Sequence, residues 1–513
     1  MGEDNKMRIN PITCLDYPDP DVIRVKDTYY MVTTTMHFMP GCEILRSFDL
    51  VRWEHAAFVY DRLDSTPGQM LAGNENIYGK GMWAASLRFH KGKFYICFVA
   101  NDTGKTYLYT AKEIEGPWEK RYIEGFYHDC SLLFDDDDEV YLAYGNKNIY
   151  ITQLKKDLSG PKPDGLHRLA VSDSDNPMLG YEGTHFYKIK GKYYLCLIHS
   201  LKNEWKRVQA CFVSDSLEGE FTGGDILNDD LGYCNQGVAQ GGIVDTPDGK
   251  WYSILFQDRG AVGRIPVLVP MTWENDYPVL GTKGRIPTEF VIPDAPPEYR
   301  YEPLVQSDDF FVDEGLAQEE TEQKYGCFGF KSVWQFNHEP NLSFISRKDG
   351  RNGFELTTGK ICKDLLQAEN ILTQRMRYPR CTGEVTVRFD MLKEGDYAGI
   401  CALQQNFGLV AATKRGNRYY VVMIAQNETE AKEWEAVEVF GDKIVLKVEA
   451  DFERMKDEAY FYYKDNDDWK SIGIAHKLCF SLKHFTGNRF GLFVYATQET
   501  GGKAGFENFR YGE

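Results

Sequence analysis

Apolar and polar positions follow one pattern five times over in the first 260 residues: an apolar run, a short polar turn, then an aromatic apolar run. The five copies read VIRVKDTYYMV, SLRFHKGKFYICF, SLLFDDDDEVYLAY, THFYKIKGKYYLCL and GIVDTPDGKWYSIL. Each predicts a β-hairpin, because alternating or continuous apolar runs about a turn of Gly, Asp and Lys pair as antiparallel strands. With Tyr30, Tyr95, Tyr141, Tyr194 and Tyr252 as the mark, successive copies lie 65, 46, 53 and 58 residues apart. That spacing holds about four short strands, one propeller blade. A lone hairpin leaves its apolar face in water, whereas blades set radially cover one another. Five copies therefore predict five blades.

Counting back 11 or 12 residues from each mark gives Asp19, Trp83, Asp129, Glu182 and Gln240. In a propeller, equivalent positions of successive blades converge on the axis, so these five, up to 221 residues apart, become neighbours. A β-sandwich with these residues on unrelated loops is the competing architecture, but it does not enforce a constant offset.

The repeat ends near residue 290, and the proline-rich IPTEFVIPDAPPEYRYEPLV reads as an extended linker against the surface. Period-two alternation continues beyond it in GEVTVRFDML, RYYVVMIA, KIVLKVEA, EAYFYYK and NRFGLFVYA. The predicted chain is all-β: a five-bladed β-propeller over 1–290, a linker over 291–303, and a jelly-roll-like β-sandwich over 304–513.

At 513 residues the chain is too long for one core. Its formal net charge of −18 argues against nucleic acid or an anionic membrane as partner, and a neutral saccharide is compatible with it. No stretch is long and apolar enough to span a membrane, and MGEDNKMRINP lacks the apolar centre of a signal peptide, so a cytoplasmic protein is expected. The twelve cysteines show no C-x-x-C spacing and read as reduced; Cys97 and Cys196 fall inside predicted strands. Asp135 to Asp138 lack EF-hand spacing and occupy a hairpin turn, and His185 and His199 lack zinc-ligand spacing.

Glycosidic hydrolysis needs two carboxyl groups across the sugar, one protonated and one ionised. Asp19, Asp129 and Glu182 offer that set. Prolines on both sides of Asp19, in DYPDPD, restrict its backbone, although a plain turn Asp explains it equally well in isolation. Glu182, in GYEGTHF, precedes a glycine that permits close ligand approach, and aromatic surroundings would raise its pKa as a general acid requires. Asp129, in FYHDCSLLF, sits in an apolar context, and a second carboxylate there helps keep Glu182 protonated. Trp83, in GKGMWAASL, offers a face for stacking on a sugar or is a core Trp. Arg264, in VGRIPVLVP, offers paired donors to hydroxyls or is a structural ion pair.

Taken in order, the motifs resemble glycoside hydrolase family 43, the five-bladed β-xylosidases and α-L-arabinofuranosidases. The resemblance rests on NPITCLDYPDPDVIRVKDTYYMVTTT, RSFDLVRWE, GMWAASLRFHKGKFYICF, HDCSLLFDDDDEVYLAYG, YEGTHFYKIKGKYYLCL and GGIVDTPDGKWYSILFQDRGAVGRIPVLVP. SDDFF, VWQFNHEPN, YAGICALQ and FENFRYGE resemble the sandwich of the xylosidase-like branch, so the match covers nearly the whole chain. The resemblance implies an inverting mechanism with Asp19 as general base, Glu182 as general acid and Asp129 orienting the acid. It implies Phe38 and Trp83 as pocket wall and Arg264 as a substrate-binding group, with Gln240 also facing the substrate.

Two departures stand out. Gln240 occupies the place where many members carry a His that in some binds an axial calcium ion, and an amide cannot replace an imidazole ligand. MHFMPG at 36–41 stands where relatives often read FEWFPG, which makes Met36 and Met39 a softer expected wall. No cofactor is expected to be required; a structural calcium ion near Asp309 and a homo-oligomer are left open. The expected activity is exo-acting release of terminal arabinofuranose, xylose or both from arabinoxylan or xylo-oligosaccharides. An endo-arabinanase and a non-catalytic carbohydrate-binding propeller are the alternatives.

Overall fold

Five antiparallel four-stranded sheets follow one another without strand exchange. Their innermost strands are Asp21–Val25, Met82–His90, Ser131–Phe134, Glu182–Ile189 and Val238–Asp245, and the last blade ends at Tyr277–Leu280. The structure, a computed structural model, describes residues 7–293, 296, 298–315, 322, 326–347, 350–427 and 430–513. The expectations for residues 1–6 and for linker positions 294, 295 and 297 lie outside these. Among the described residues helix is confined to short turns such as Gly260–Val262 and Leu365–Gln367.

The register fixes which positions are equivalent. The mark tyrosines pair with Ile23, Arg88, Leu133, Tyr187 and Val244 of the innermost strands. Four residues before each partner the backbone turns left-handed, at Asp19 (φ 53°), Ala84 (27°), Asp129 (48°), Gly183 (61°) and Gln240 (57°). The equivalent positions in the second and fourth blades are thus Ala84 and Gly183. The expected assignment of Trp83 and Glu182 to this ring is off by one, because in their hairpins, closed by two-residue turns, the mark tyrosine pairs with the residue seven positions back, against eight in the third and fifth blades. A non-glycine residue in this region is strained by about 1 kcal/mol or more, and such strain clusters at functional sites.

The ring closes through side chains and backbone. Arg24 of the first blade donates to both carboxylate oxygens of Asp245 in the fifth, at 3.1 and 2.6 Å. Gly242 N–H donates to Pro20 O at 3.1 Å.

Past the propeller, Tyr299 and Tyr301 lie against Phe48 of the first blade, and Tyr301 accepts from Phe48 N at 2.9 Å. The second domain packs a seven-stranded sheet on an eight-stranded one. Alternating residues of strands such as Arg380–Arg388 point inward, with Val385 and Val387 fully buried. The same buried cluster runs on through Trp334 and Phe336 to Met39, Ile44 and Leu87 of the propeller, so the domains share a core. At the seam, Asp16 accepts from Arg264 N and from Gly487 N, each at 2.7 Å.

Candidate active site

The left-handed bulge does the positioning. A left-handed residue recurs at the same step from the mark's partner in every blade, just before the innermost strand at Asp19 and Asp129 and within its first residues at Ala84, Gly183 and Gln240. Asp129 Oδ2 accepts the Gly183 N–H at 2.9 Å, which ties the third blade to the fourth beside Glu182. One oxygen of Asp129, one of Glu182 and a ring nitrogen of His128 lie within 4.8 Å of one another. Asp19 lies close enough that its charge adds to the field on Asp129. The structure thus brings the three acids together.

Their settings differ. Arg264 Nη1 donates to Asp19 Oδ1 at 2.9 Å, with both side chains nearly out of water. Burial pushes Asp129 up to about 6, opposed chiefly by His128 and helped by Glu182 and Asp19. Glu182 is partly exposed. It accepts from the Asn146 side-chain amide and faces His128 Nε2 at 3.8 Å. Gly183 is required here twice over: its φ is positive, and a Cβ would sit 2.6 Å from Gln240 Cδ. Gln240 is buried, packs on that glycine, and accepts nothing from it; its own N–H donates to Gln209 Oε1 at 2.7 Å.

The aromatic wall comes from both domains. Trp83 is half-buried, 5.3 Å from the ring of Phe485 and 6.1 Å from His128. Phe485 belongs to the sandwich; the Arg264 guanidinium lies 4.3 Å from its ring and donates to its carbonyl at 3.2 Å. Phe38 is placed differently from expectation. It is 1% exposed, carries the Arg489 guanidinium at 3.5 Å on its ring, and joins a cluster of sandwich residues including Leu365 and Phe407. Met36 and Met39 are buried as well, and Met39 exchanges two backbone hydrogen bonds with Phe336 of the second domain. The 36–41 segment therefore clamps the domains together, since apolar side chains flanked by the sandwich gain more from burial there than from facing a polar hollow.

Four residues near the acids went unnamed in the sequence reading: His128, Asn146, Arg207 and Phe485. His128 adjoins Asp129 in a motif already singled out. Asn146 ends the strand Val140–Asn146, two residues beyond the expected hairpin. Arg207, ion-paired with Asp258, is half-buried where Arg264, Glu182 and Asp19 all act on it. Phe485 has no local signal, because only the docking of the second domain brings it here.

Arg88 sits where blades meet. Arg88 donates to Asp21 Oδ2 at 2.7 Å, to Ser131 Oγ at 2.6 Å and to Leu132 O at 2.8 Å, and Asp21 Oδ1 also meets His185 Nδ1 at 3.0 Å. One guanidinium thus joins three blades. A calcium ion placed there would meet that positive charge, so these residues do not fit one. His128, Asp129 and Glu182 offer three ligand-type atoms, but His128 is pushed up to about 9, first by the Asp129 carboxylate, and the imidazolium is already that group's counter-ion. Asp309 pairs with Arg510 at 2.5 Å and makes no cation site by itself.

Comparison with known proteins matches this geometry to one family. The family model for glycosyl hydrolases family 43 matches residues 9–278, and that for a beta xylosidase C-terminal Concanavalin A-like domain matches residues 329–512. A beta-xylosidase of Formosa agariphila is 24% identical over 98% of this chain and 90% of its own length. A non-reducing end alpha-L-arabinofuranosidase of Bacteroides ovatus is 26% identical over 80% of this chain and 77% of its own. A solved bifunctional GH43-CE chain of Bacteroides eggerthii superposes with a TM-score of 0.91 at 40% identity. It covers 99% of this chain, which spans 64% of that longer one. With a five-bladed propeller, an attached sandwich and three gathered acids, the chain belongs to glycosyl hydrolases family 43.

Proposed function

We propose that this glycoside hydrolase is exo-acting and inverting, and releases terminal arabinofuranose, xylose or both from arabinoxylan or xylo-oligosaccharides. The observation that carries the reading is the convergence of Asp19, Asp129 and Glu182, each in a different environment. The relatives' names divide between xylosidase and arabinofuranosidase, which supports both sugars.

Asp19 is the general base. Arg264 occupies its Oδ1 and fixes the carboxylate plane, which leaves Oδ2 to take a proton from water. The water attacks the anomeric carbon on the face opposite the leaving group. Glu182 gives its proton to the glycosidic oxygen as that bond breaks, so charge does not build up on the leaving sugar. Asp129 orients Glu182 through the Gly183 backbone. Trp83 and Phe485 offer apolar faces to the sugar ring and exclude bulk water.

The contact of Phe485 of the second domain with Trp83 and Arg264 beside the acids supports an exo pocket over the open groove of an endo-arabinanase. No step needs a metal: protons move between carboxyls and water, and Arg88 and Arg264 supply fixed positive charge. The test is a paired assay with 4-nitrophenyl β-xyloside and 4-nitrophenyl α-L-arabinofuranoside, followed by product analysis on xylo-oligosaccharides. Release of single sugars supports the reading. Binding without turnover on either substrate would make the chain a carbohydrate-binding propeller, and mid-chain cleavage of linear arabinan would make it an endo enzyme.

A further inference from the structure

Two neighbouring carboxyls share the acid end of the site, and the more buried one is not the proton donor. The Asp129 side chain is 6% exposed and that of Glu182 21%. Desolvation penalises the charged form, so burial alone would put a shared proton on Asp129. Acid catalysis needs it on Glu182.

His128 sits at the corner between them. Its Nε2 lies 3.5 Å from Asp129 Oδ1 and 3.8 Å from Glu182 Oε2. The charge of the nearer carboxylate, Asp129, is the largest single cause of its protonation, and Glu182 adds a hydrogen bond and its own charge. In return the imidazolium is the strongest influence pulling Asp129 down against burial, with the Gly183 N–H a lesser one. Other groups face this corner from every side. Cys130 follows on the same segment, Asp19 acts on Asp129, and Arg207 stands toward Glu182 and Asp19. Trp83 presents a neutral ring at 6.1 Å. Among them His128 is the cation nearest Asp129. Its backbone does separate work, as Gly145 N–H donates to His128 O at 2.9 Å whatever the side chain.

We propose that His128 is a positioning residue for the catalytic proton: its imidazolium keeps Asp129 ionised, so that the one proton of the Asp129–Glu182 pair rests on Glu182. The inference rests on Glu182 being the general acid. In each turnover the proton passes from Glu182 to the leaving oxygen, water yields one to Asp19, and solvent exchange restores the starting state. His128 itself neither gains nor loses a proton.

Leaving-group dependence tests it. A 2,4-dinitrophenolate leaves without protonation, whereas a sugar alcohol does not. His128→Phe should lose about 100-fold in kcat/KM on a xylo- or arabino-oligosaccharide but only about threefold on the 2,4-dinitrophenyl glycoside of the same sugar. His128→Lys, which restores a cation, should recover part of the oligosaccharide rate. Equal losses on both substrates, or no loss on the oligosaccharide, would overturn the inference while leaving the glycosidase reading intact. A wild-type chain inactive on both overturns that reading and the inference with it. Should His128→Phe not fold, NMR titration of wild-type His128 decides: a ring still protonated at neutral pH agrees, and a neutral ring contradicts.

Discussion

Arg264 and Asp19 form a hydrogen-bonded ion pair at 2.9 Å between residues 245 apart, joining the last blade to the segment that enters the first. The Arg264 side chain is 2% exposed and that of Asp19 9%, so neither charge has much water to fall back on. Removing one partner of such a pair strands the other, at a cost of about 3–5 kcal/mol. Arg264→Ala should therefore lower the unfolding free energy by roughly that amount and depress kcat. Arg264→Lys, which keeps the charge without the planar fork, should recover stability more than rate. Denaturant unfolding beside steady-state kinetics checks both.

Substitution of the acids separates chemistry from folding. Glu182→Gln keeps the shape and the Asn146 contact but has no proton to give. We expect kcat on oligosaccharides to fall by about 100-fold to 10,000-fold, with thermal stability close to wild type. Asp19→Asn should lose as much activity on every leaving group, because water activation is needed for all. A Glu182→Gln variant with near-normal oligosaccharide turnover would remove this residue from the mechanism.

Phe485 makes the sandwich part of the site. Its ring lies 5.3 Å from Trp83 and 4.3 Å from the Arg264 guanidinium. Aromatic contacts of this kind contribute about 0.5–1.5 kcal/mol beyond buried area, so Phe485→Ala should cost roughly tenfold in kcat/KM. Far-UV circular dichroism should be unchanged. A variant with wild-type kcat/KM would mean the second domain only supports the pocket from outside.

Three buried histidines from both domains meet around Tyr78. His37 lies 5.4 Å from His338 and 5.7 Å from His484, ring to ring, and burial holds all three low, His484 at about 3. Their folded pKa values are below the unfolded value near 6.5, so the unfolded chain binds more protons in the interval between. Stability should fall as pH drops below about 6.5, by about 1.4 kcal/mol per pH unit for each histidine. Asp396 and Asp457, both raised to about 6 by burial, work in the opposite sense, so the comparison must be differential. His484→Phe should flatten the stability curve between pH 6 and 4 by about one proton relative to wild type. Parallel curves would show that the cluster is not neutral.

The hairpins were legible because each blade repeats an apolar–turn–aromatic pattern that only a strand pair satisfies. Asp19 and Asp129 were legible because an offset of 11 or 12 residues survives in the sequence, and Glu182 because it directly precedes the ring position Gly183. Trp83 and Glu182 were assigned one residue from the true ring because their two-residue turns shorten the step from mark to partner by one relative to the third and fifth blades. Phe38 looked like a wall residue, yet the sandwich covers it, and nothing within 36–41 announces a second domain. Phe485 was invisible for the same reason: a lone Phe in KHFTGN becomes part of the site only through domain docking.

Inversion is the claim on which the roles of Asp19 and Glu182 jointly depend. Proton NMR of the first sugar released, recorded before mutarotation, tests it most directly. With the 4-nitrophenyl glycoside that the enzyme accepts, the account predicts β-L-arabinofuranose from the α-arabinofuranoside, or α-xylose from the β-xyloside. First-formed product with the anomeric configuration of the substrate would contradict it.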